Sequence, residues 1–226
     1  MTLAEIVDAR SFGEWVSAEL ARRGIRAARC LDVGAGEGGA SDALRRSGHE
    51  AVAIDPREPV ADGVLCATLE SFEDARRFDV VVARLSLHHT ENVGAAARAL
   101  RRHVRDDGLA FVAEYGWELA DEATVAFAAG IARRTPEDQL PPYGRWLREV
   151  ADMRGWVERL GELHAQAAID AALRPWFETT LSATVPHITP MLGREDLVAQ
   201  ELAAIASGAI VPLGVVKILA PRVRET

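Results

Sequence analysis

The sequence predicts an α/β fold: a doubly wound, mostly parallel seven-stranded sheet with helices on both faces and a helical insertion between strands five and six. Three observations carry this expectation. From residue 29 to residue 115, short and nearly continuous apolar runs alternate with segments of helical period, as strands covered on both faces by helices do. The first run leads into LDVGAGEGG (31–39), a glycine turn between strand and helix of the kind doubly wound sheets place under a ligand. The second run ends on Asp55, about 20 residues after that turn and at the strand end that borders the crevice.

Residues 3–23 space Ile6, Val7, Phe12, Trp15, Val16 and Leu20 for one or two amphipathic helices that end near Gly24 and pack on the edge of the α/β unit. RCLDV (29–33) is the first strand, ASDALRRS a helix closed by Gly48, and EAVAID (50–55) the second strand. A turn across Pro56–Pro59 and a weakly patterned helix lead to GVLCATL (63–69) as the third strand. FDVVVAR (78–84) is the fourth, NVGAAARALRRHV (92–104) a helix capped by Thr90 or Asn92, and GLAFVAEY (108–115) the fifth strand. Residues 117–174 read as mostly helical, interrupted by the proline-rich RRTPEDQLPPYG (133–144). WFETTLSATVPHI (176–188) alternates like a strand, REDLVAQELAAIASG (194–208) is a helix ending on glycine, and VVKILAPR (215–222) is the last strand.

Composition narrows the function classes. The 226 residues are 49% hydrophobic and 27% charged, with mean hydropathy near zero, which suits one soluble domain over residues 1–226. Within it, residues 1–24 form the N-terminal helices and 117–174 a helical insertion or lid. A net charge of −8 repels a nucleic-acid backbone, so the expected partner is a small molecule. The N-terminus carries Glu5 and Asp8 where a secretion signal would be basic, and the apolar run 203–216 is broken by Gly208, Pro212 and Gly214. No membrane span is expected, and the location is expected to be cytoplasmic. Cys30 and Cys66 lie in strand-like runs and are expected to be buried, reduced thiols. No metal site is expected, because the histidines show neither H-x-x-x-H nor H-E-x-x-H spacing.

Gly34, Gly36 and Gly39 satisfy G-x-G-x-x-G, which serves dinucleotides and other adenosine cofactors alike by letting backbone approach the ligand. Asp55 is placed to accept both ribose hydroxyls. Asp32 discriminates. A carboxylate two residues before Gly34 has no use beside a pyrophosphate, but it suits an ammonium; bonding to nearby backbone amides alone is the other reading.

LDVGAGEGG, VAIDP, FDVVVARLSLHH and ALRRHVRDDGLAFVAEY together resemble the class I S-adenosylmethionine-dependent methyltransferases, in their small-molecule branch. The resemblance covers residues 29–115 and resumes at the C-terminus, where it implies a final helix and an antiparallel last strand. It implies S-adenosylmethionine as cofactor, with S-adenosylhomocysteine as product. By position, Asp32, Gly34, Ala35 and Gly36 would hold the methionine part, Asp55 and Pro56 the ribose, and Thr68 and Leu69 the adenine. Arg84, Leu85 and Ser86 would face the methyl group. Where the family commonly has an acid for the adenine amino group, this chain has Ala67, which leaves backbone, Thr68 or Glu70 for that contact.

Methyl transfer is an in-line displacement, so the protein mainly aligns donor and acceptor and excludes water. Where the acceptor loses a proton, His88 or His89 is the candidate base; packing or loop hydrogen bonding is the competing reading for each. Glu114 and Tyr115, at the end of the fifth strand, border the crevice. His187, Tyr143 and His164 are further candidates. Trp117, Trp146 and Trp156 in the insertion read either as core or as an interface, including that of a homodimer, and alternatively as a lid over a planar acceptor. The expected activity is methylation of an O, N or C nucleophile of a small metabolite. Two alternatives stay open: a protein of this fold that does not transfer methyl, acting as a partner subunit or in a non-redox rearrangement, and an NAD(P)-dependent oxidoreductase.

Overall fold

The computed structural model describes residues 3–58 and 62–222. Its strands are β1 (Arg29–Val33), β2 (Glu50–Asp55), β3 (Val64–Cys66), β4 (Phe78–Arg84), β5 (Val104–Tyr115), β6 (Phe177–Val185) and β7 (Gly214–Pro221). They form one sheet in the order β3-β2-β1-β4-β5-β7-β6. β1 to β5 pair in parallel, and β7 runs antiparallel between β5 and β6. Chain order reverses between β1 and β4, so the crevice at their carboxyl ends is where a ligand is expected.

Helices α1 (Ala9–Arg22) and α2 (Gly39–Arg46) cover one face of the sheet. Asp8 starts α1 with a capping box: it accepts the Ser11 N–H (2.6 Å), and the Ser11 hydroxyl accepts the Asp8 N–H (2.9 Å). Phe12, Trp15 and Leu20 on α1 pack onto Val80, Val82 and Phe111, with Trp15 edge-on to Phe111. Each such side chain contributes about 1.5–3 kcal/mol by leaving water. α3 (Val93–His103) and α6 (Gln166–Leu173) cover the other face through Ala96, Leu100, Ile169 and Leu173. Asn92 caps α3 through the Ala95 N–H. α4 (Glu122–Arg134) and α5 (Met153–Leu160), with α7 (Ile188–Met191) and the segment before β7, build a third apolar core around Tyr115, Trp156, Ile188 and Leu213. α8 (Val198–Ala206) precedes β7. Thus α6 belongs to the sheet, whereas α4 and α5 stand beyond the carboxyl ends of its strands.

Three details depart from expectation. β3 is an edge strand only three residues long, because Thr68 and Ser71 close a local turn in which their hydroxyls hydrogen-bond (2.9 Å). At that edge Cys66 is exposed, while Cys30 is buried as expected. β5 begins at Val104, ahead of Gly108, through an irregular pairing with β4. The turn expected across Pro56–Pro59, and the helix after it, run into residues 59–61, outside the described residues. No helix among the described residues is long and apolar enough to cross a membrane.

Candidate active site

The loop after β1 forms the floor of the crevice. Gly34 and Gly36 take left-handed backbone (φ +67° and +56°). A Cβ on Gly34 would stand 2.5 Å from the Ser86 Cβ, so any side chain there would force apart the loops after β1 and β4. Ala35 between them is buried, its N–H on the Ile54 carbonyl. α2 starts immediately afterwards, and its N-cap Gly38 offers no side chain. Asp32 reaches in from β1 instead and accepts the Ser41 N–H at 2.9 Å. It is only 2% exposed. Burial pushes its carboxyl up to about 6, against the hydrogen bonds of Ser41 and the more distant charges of Arg45 and Arg84. A buried carboxylate with an amide partner but no adjacent cation suits the ammonium of an amino acid.

Asp55, the last residue of β2, is also buried. It accepts the N–H groups of Gly36 (2.9 Å) and Arg57 (2.9 Å), and the Arg57 guanidinium covers it through Nε (2.9 Å) and Nη2 (3.1 Å). Burial works to raise its pKa, but the bonds from Arg57 and Gly36 outweigh that and hold it below the usual carboxylate range. The Arg57 side chain is 76% exposed. Ribose hydroxyls can therefore replace it on Asp55 by the rotation of one surface side chain. Pro56 is exposed beside it.

Arg84 ends β4, and Leu85 follows with φ +51°, unique among the described non-glycine residues. Such a conformation costs roughly 1–3 kcal/mol and persists only where surroundings impose it. Here they do. The Leu85 N–H is tied to the Ala113 carbonyl (2.8 Å), and Glu114 accepts the next two amides, Ser86 N–H (3.1 Å) and Leu87 N–H (2.7 Å). The other Glu114 oxygen meets His88 Nδ1 at 2.5 Å. Both side chains are buried. A carboxylate at Nδ1 makes that nitrogen the donor, which leaves Nε2 of the neutral ring as a proton acceptor.

Around this pair stand four rings. His88 lies 4.1 Å from His89 and 6.5 Å from Tyr115 between ring centres. Tyr115 stacks on His187 (4.5 Å) and meets Trp156 edge-on (6.3 Å). Burial pushes the Tyr115 phenol well above its ordinary range. Burial also pushes His187 down to about 3, aided by the charges of Arg84 and His88. Among the described residues, Tyr115 Oη, Ser86 Oγ and Trp117 Nε1 are buried with no hydrogen-bond partner, which leaves them free to bond to water or a ligand.

The expected residues thus divide. Asp32, Gly34, Ala35, Gly36, Asp55, Arg84, Leu85, His88, Glu114, Tyr115 and His187 gather at the carboxyl ends of the strands. His89 is exposed beside His88, and burial of part of its ring followed by the His88 charge lowers its pKa. Thr68 bonds to Ser71, and Leu69 is buried in the core beneath α3. Glu70 is exposed. Tyr143 is 63% exposed. His164 fastens the insertion to the loop after β4, its N–H on the His88 carbonyl (3.0 Å) and its Nε2 on the Thr90 carbonyl (2.8 Å). Trp156 is core, its indole N–H on the Trp117 carbonyl. Two residues of the site stand outside the sequence expectations. Arg57 is one. The other is Glu201, fully buried on α8, which accepts the N–H groups of His187, Ile188 and Thr189 and so fixes the turn that bears His187. An acid inside the apolar run VAQELAAIA is the one available clue.

A search of curated protein sequences finds no match. Among solved structures, the 1,6-didemethyltoxoflavin-N1-methyltransferase of Burkholderia thailandensis, solved with 1,6-didemethyltoxoflavin and S-adenosylhomocysteine, is similar at TM-score 0.56 and 16% identity, over 95% of this chain and 80% of that one. The plantazolicin methyltransferase, solved with S-adenosylhomocysteine, is similar at TM-score 0.57 and 12% identity, over 97% and 85%. An S-adenosylmethionine-dependent methyltransferase of Clostridium acetobutylicum is similar at TM-score 0.56 and 10% identity, over 95% and 92%. These likenesses concern the fold. The sequence itself matches a family model described as a methyltransferase domain over residues 8–176, which does not favour the oxidoreductase reading. With that match over most of its length, the chain belongs to the methyltransferase-domain family and is an S-adenosylmethionine-dependent methyltransferase.

Proposed function

We propose that the methyl acceptor is an O, N or C nucleophile of a small metabolite and that His88, held by Glu114, is the base. The observation that carries the reading is the 2.5 Å contact between His88 Nδ1 and Glu114. Asp32, Gly34, Ala35 and Gly36 hold the methionine part together with Arg84 and Leu85, Asp55 and Pro56 hold the ribose, and the backbone at Thr68 and Leu69 meets the adenine. When bound, the cofactor supplies an electrophilic methyl on a sulfonium. His88 Nε2 takes the proton that the nucleophile gives up, and Glu114 stabilises the resulting imidazolium through Nδ1. Tyr115, kept neutral, donates a hydrogen bond. The α4–α5 layer excludes water. A small acceptor is supported by the net charge of −8 and by the Burkholderia relative, solved with a small heterocycle bound; the two unpaired thiols suit a cytoplasmic location.

Labelled methyl transfer from S-adenosylmethionine into the small-molecule fraction of a cell extract tests the proposal. Transfer is expected with wild type, reduced about 10²–10⁴-fold in His88→Ala with S-adenosylhomocysteine binding retained. Full activity of His88→Ala would remove the base role. Label appearing only in macromolecules would overturn the acceptor class.

A further inference from the structure

His88 rides on one turn of 3₁₀ helix, Leu87–His89, and a turn this short holds its pitch only if its end groups are bonded from outside. The amides at its start, Ser86 and Leu87, are taken by Glu114. The carbonyls of Ser86 and Leu87 are taken locally, by the N–H groups of His89 (3.2 Å) and Thr90 (3.3 Å), with the Thr90 hydroxyl also on Leu87 (2.8 Å). Two carbonyls further on are both taken by one residue of the insertion. His164 gives its backbone N–H to the His88 carbonyl (3.0 Å) and its ring Nε2 to the Thr90 carbonyl (2.8 Å). A carbonyl oxygen only accepts, so Nε2 is the protonated nitrogen of that ring. The turn is thereby gripped at both ends.

His164 is itself mounted between two cores. Leu163 before it packs on the core of the insertion with Tyr115 and Trp156, and Ile169 after it lies in the core beneath α3 and α6. α6 has no capping side chain of its own, since Ala165 stands at its N-cap. Glu118 serves instead, accepting the Ala167 N–H at 3.0 Å. Glu118 follows Glu114 closely in the chain, so these bonds close a ring: from Glu114 through the turn to His164, on to the start of α6, and through Glu118 back to the end of β5. Both members of the His88–Glu114 pair are held in it. We propose that His164 is a positioning residue for the base, an inference that rests on the role proposed for His88. By holding the carbonyls of His88 and Thr90 it fixes the tilt of the turn, and with it the approach of His88 Nδ1 to Glu114 (2.5 Å). It acts through the backbone of His88 and not on the substrate. A displacement of about 1 Å at a reacting group can cost about 10²-fold in rate, so a bond on the far side of the turn reaches the chemistry.

Proton NMR reads the pair directly, because a proton held between a ring nitrogen and a buried carboxylate is strongly deshielded. Wild type should show a far-downfield resonance that His88→Ala removes. His164→Phe keeps a flat ring without a donor, whereas His164→Gln keeps a donor for the Thr90 carbonyl without the ring. In His164→Phe the resonance should move upfield or broaden away. Labelled methyl transfer into the small-molecule fraction of a cell extract, at saturating S-adenosylmethionine, should fall in that variant by on the order of 10–10²-fold with the KM for S-adenosylmethionine unchanged. His164→Gln should restore much of both signals, and His164→Leu replaces the Phe variant if that one does not unfold cooperatively. A donor-less variant equal to or above His164→Gln in resonance or in rate would mark the ring as packing only and overturn the proposal. A wild type without a His88-dependent resonance would instead overturn the His88–Glu114 pair as the base.

Discussion

Asp32→Asn is expected to stabilise the ligand-free protein while weakening its hold on the cofactor. Asn keeps an oxygen for the Ser41 N–H, so the perturbation removes charge more than structure. In the folded chain the acid is raised from 3.8 to about 6 by burial, which corresponds to about 3 kcal/mol of destabilisation at neutral pH. The sign comes from proton uptake. Above about pH 6 the carboxyl is ionised in both states and the penalty is complete. Between about 6 and 4 the folded state holds a proton that the unfolded state has lost, so stability rises as pH falls, and below about 4 the penalty is gone. Urea unfolding of wild type and Asp32→Asn at pH 7.5, 5.5 and 4 reads this directly, other groups cancelling in the difference. The variant should be about 3 kcal/mol more stable at pH 7.5, about 6–12 °C in melting temperature for a chain of this size, with the gap closing toward pH 4. S-adenosylhomocysteine affinity should drop on the order of tenfold. A variant less stable than wild type at pH 7.5, or a gap that does not change with pH, would refute the account of Asp32.

Glu114→Gln presents an N–H₂ to either the Ser86 and Leu87 amides or His88 Nδ1; it should cost about 1–3 kcal/mol of stability and lower methyl transfer by about 10²–10⁴-fold, read by melting and by product formation. His187 has its pKa pushed down to about 3, so acidification below about 6.5 charges it only in the unfolded chain and stability falls across that window. His187→Phe, which keeps the stack on Tyr115, should flatten the pH profile between about 6.5 and 3; an unchanged profile would mean the loss arises elsewhere.

What the sequence disclosed depended on how local each feature is. EAVAID and FDVVVAR end where their strands end, because a central parallel strand covered on both faces is mostly apolar and the charge of Asp55 or Arg84 marks its exit. GVLCATL shrank to Val64–Cys66 because an edge strand is held from one side only, so the Thr68–Ser71 turn wins. Glu114 and Tyr115 were legible as strand-end residues. That Glu114 clamps three donors from the loop after β4 is a contact between segments 26 to 28 residues apart, and no periodicity encodes it. Arg57 lay hidden for a different reason: a surface arginine folded onto its own neighbour two residues back leaves no pattern.

The central claim is that the loop after β1 and Asp55 hold S-adenosylmethionine, and calorimetric titration with its product tests it most directly. Wild type should bind S-adenosylhomocysteine at one site per chain and give no heat with NAD or NADP, while Asp55→Ala should lose the S-adenosylhomocysteine signal yet unfold cooperatively at neutral pH. Heat with a dinucleotide alone, or undiminished S-adenosylhomocysteine binding by Asp55→Ala, would contradict it.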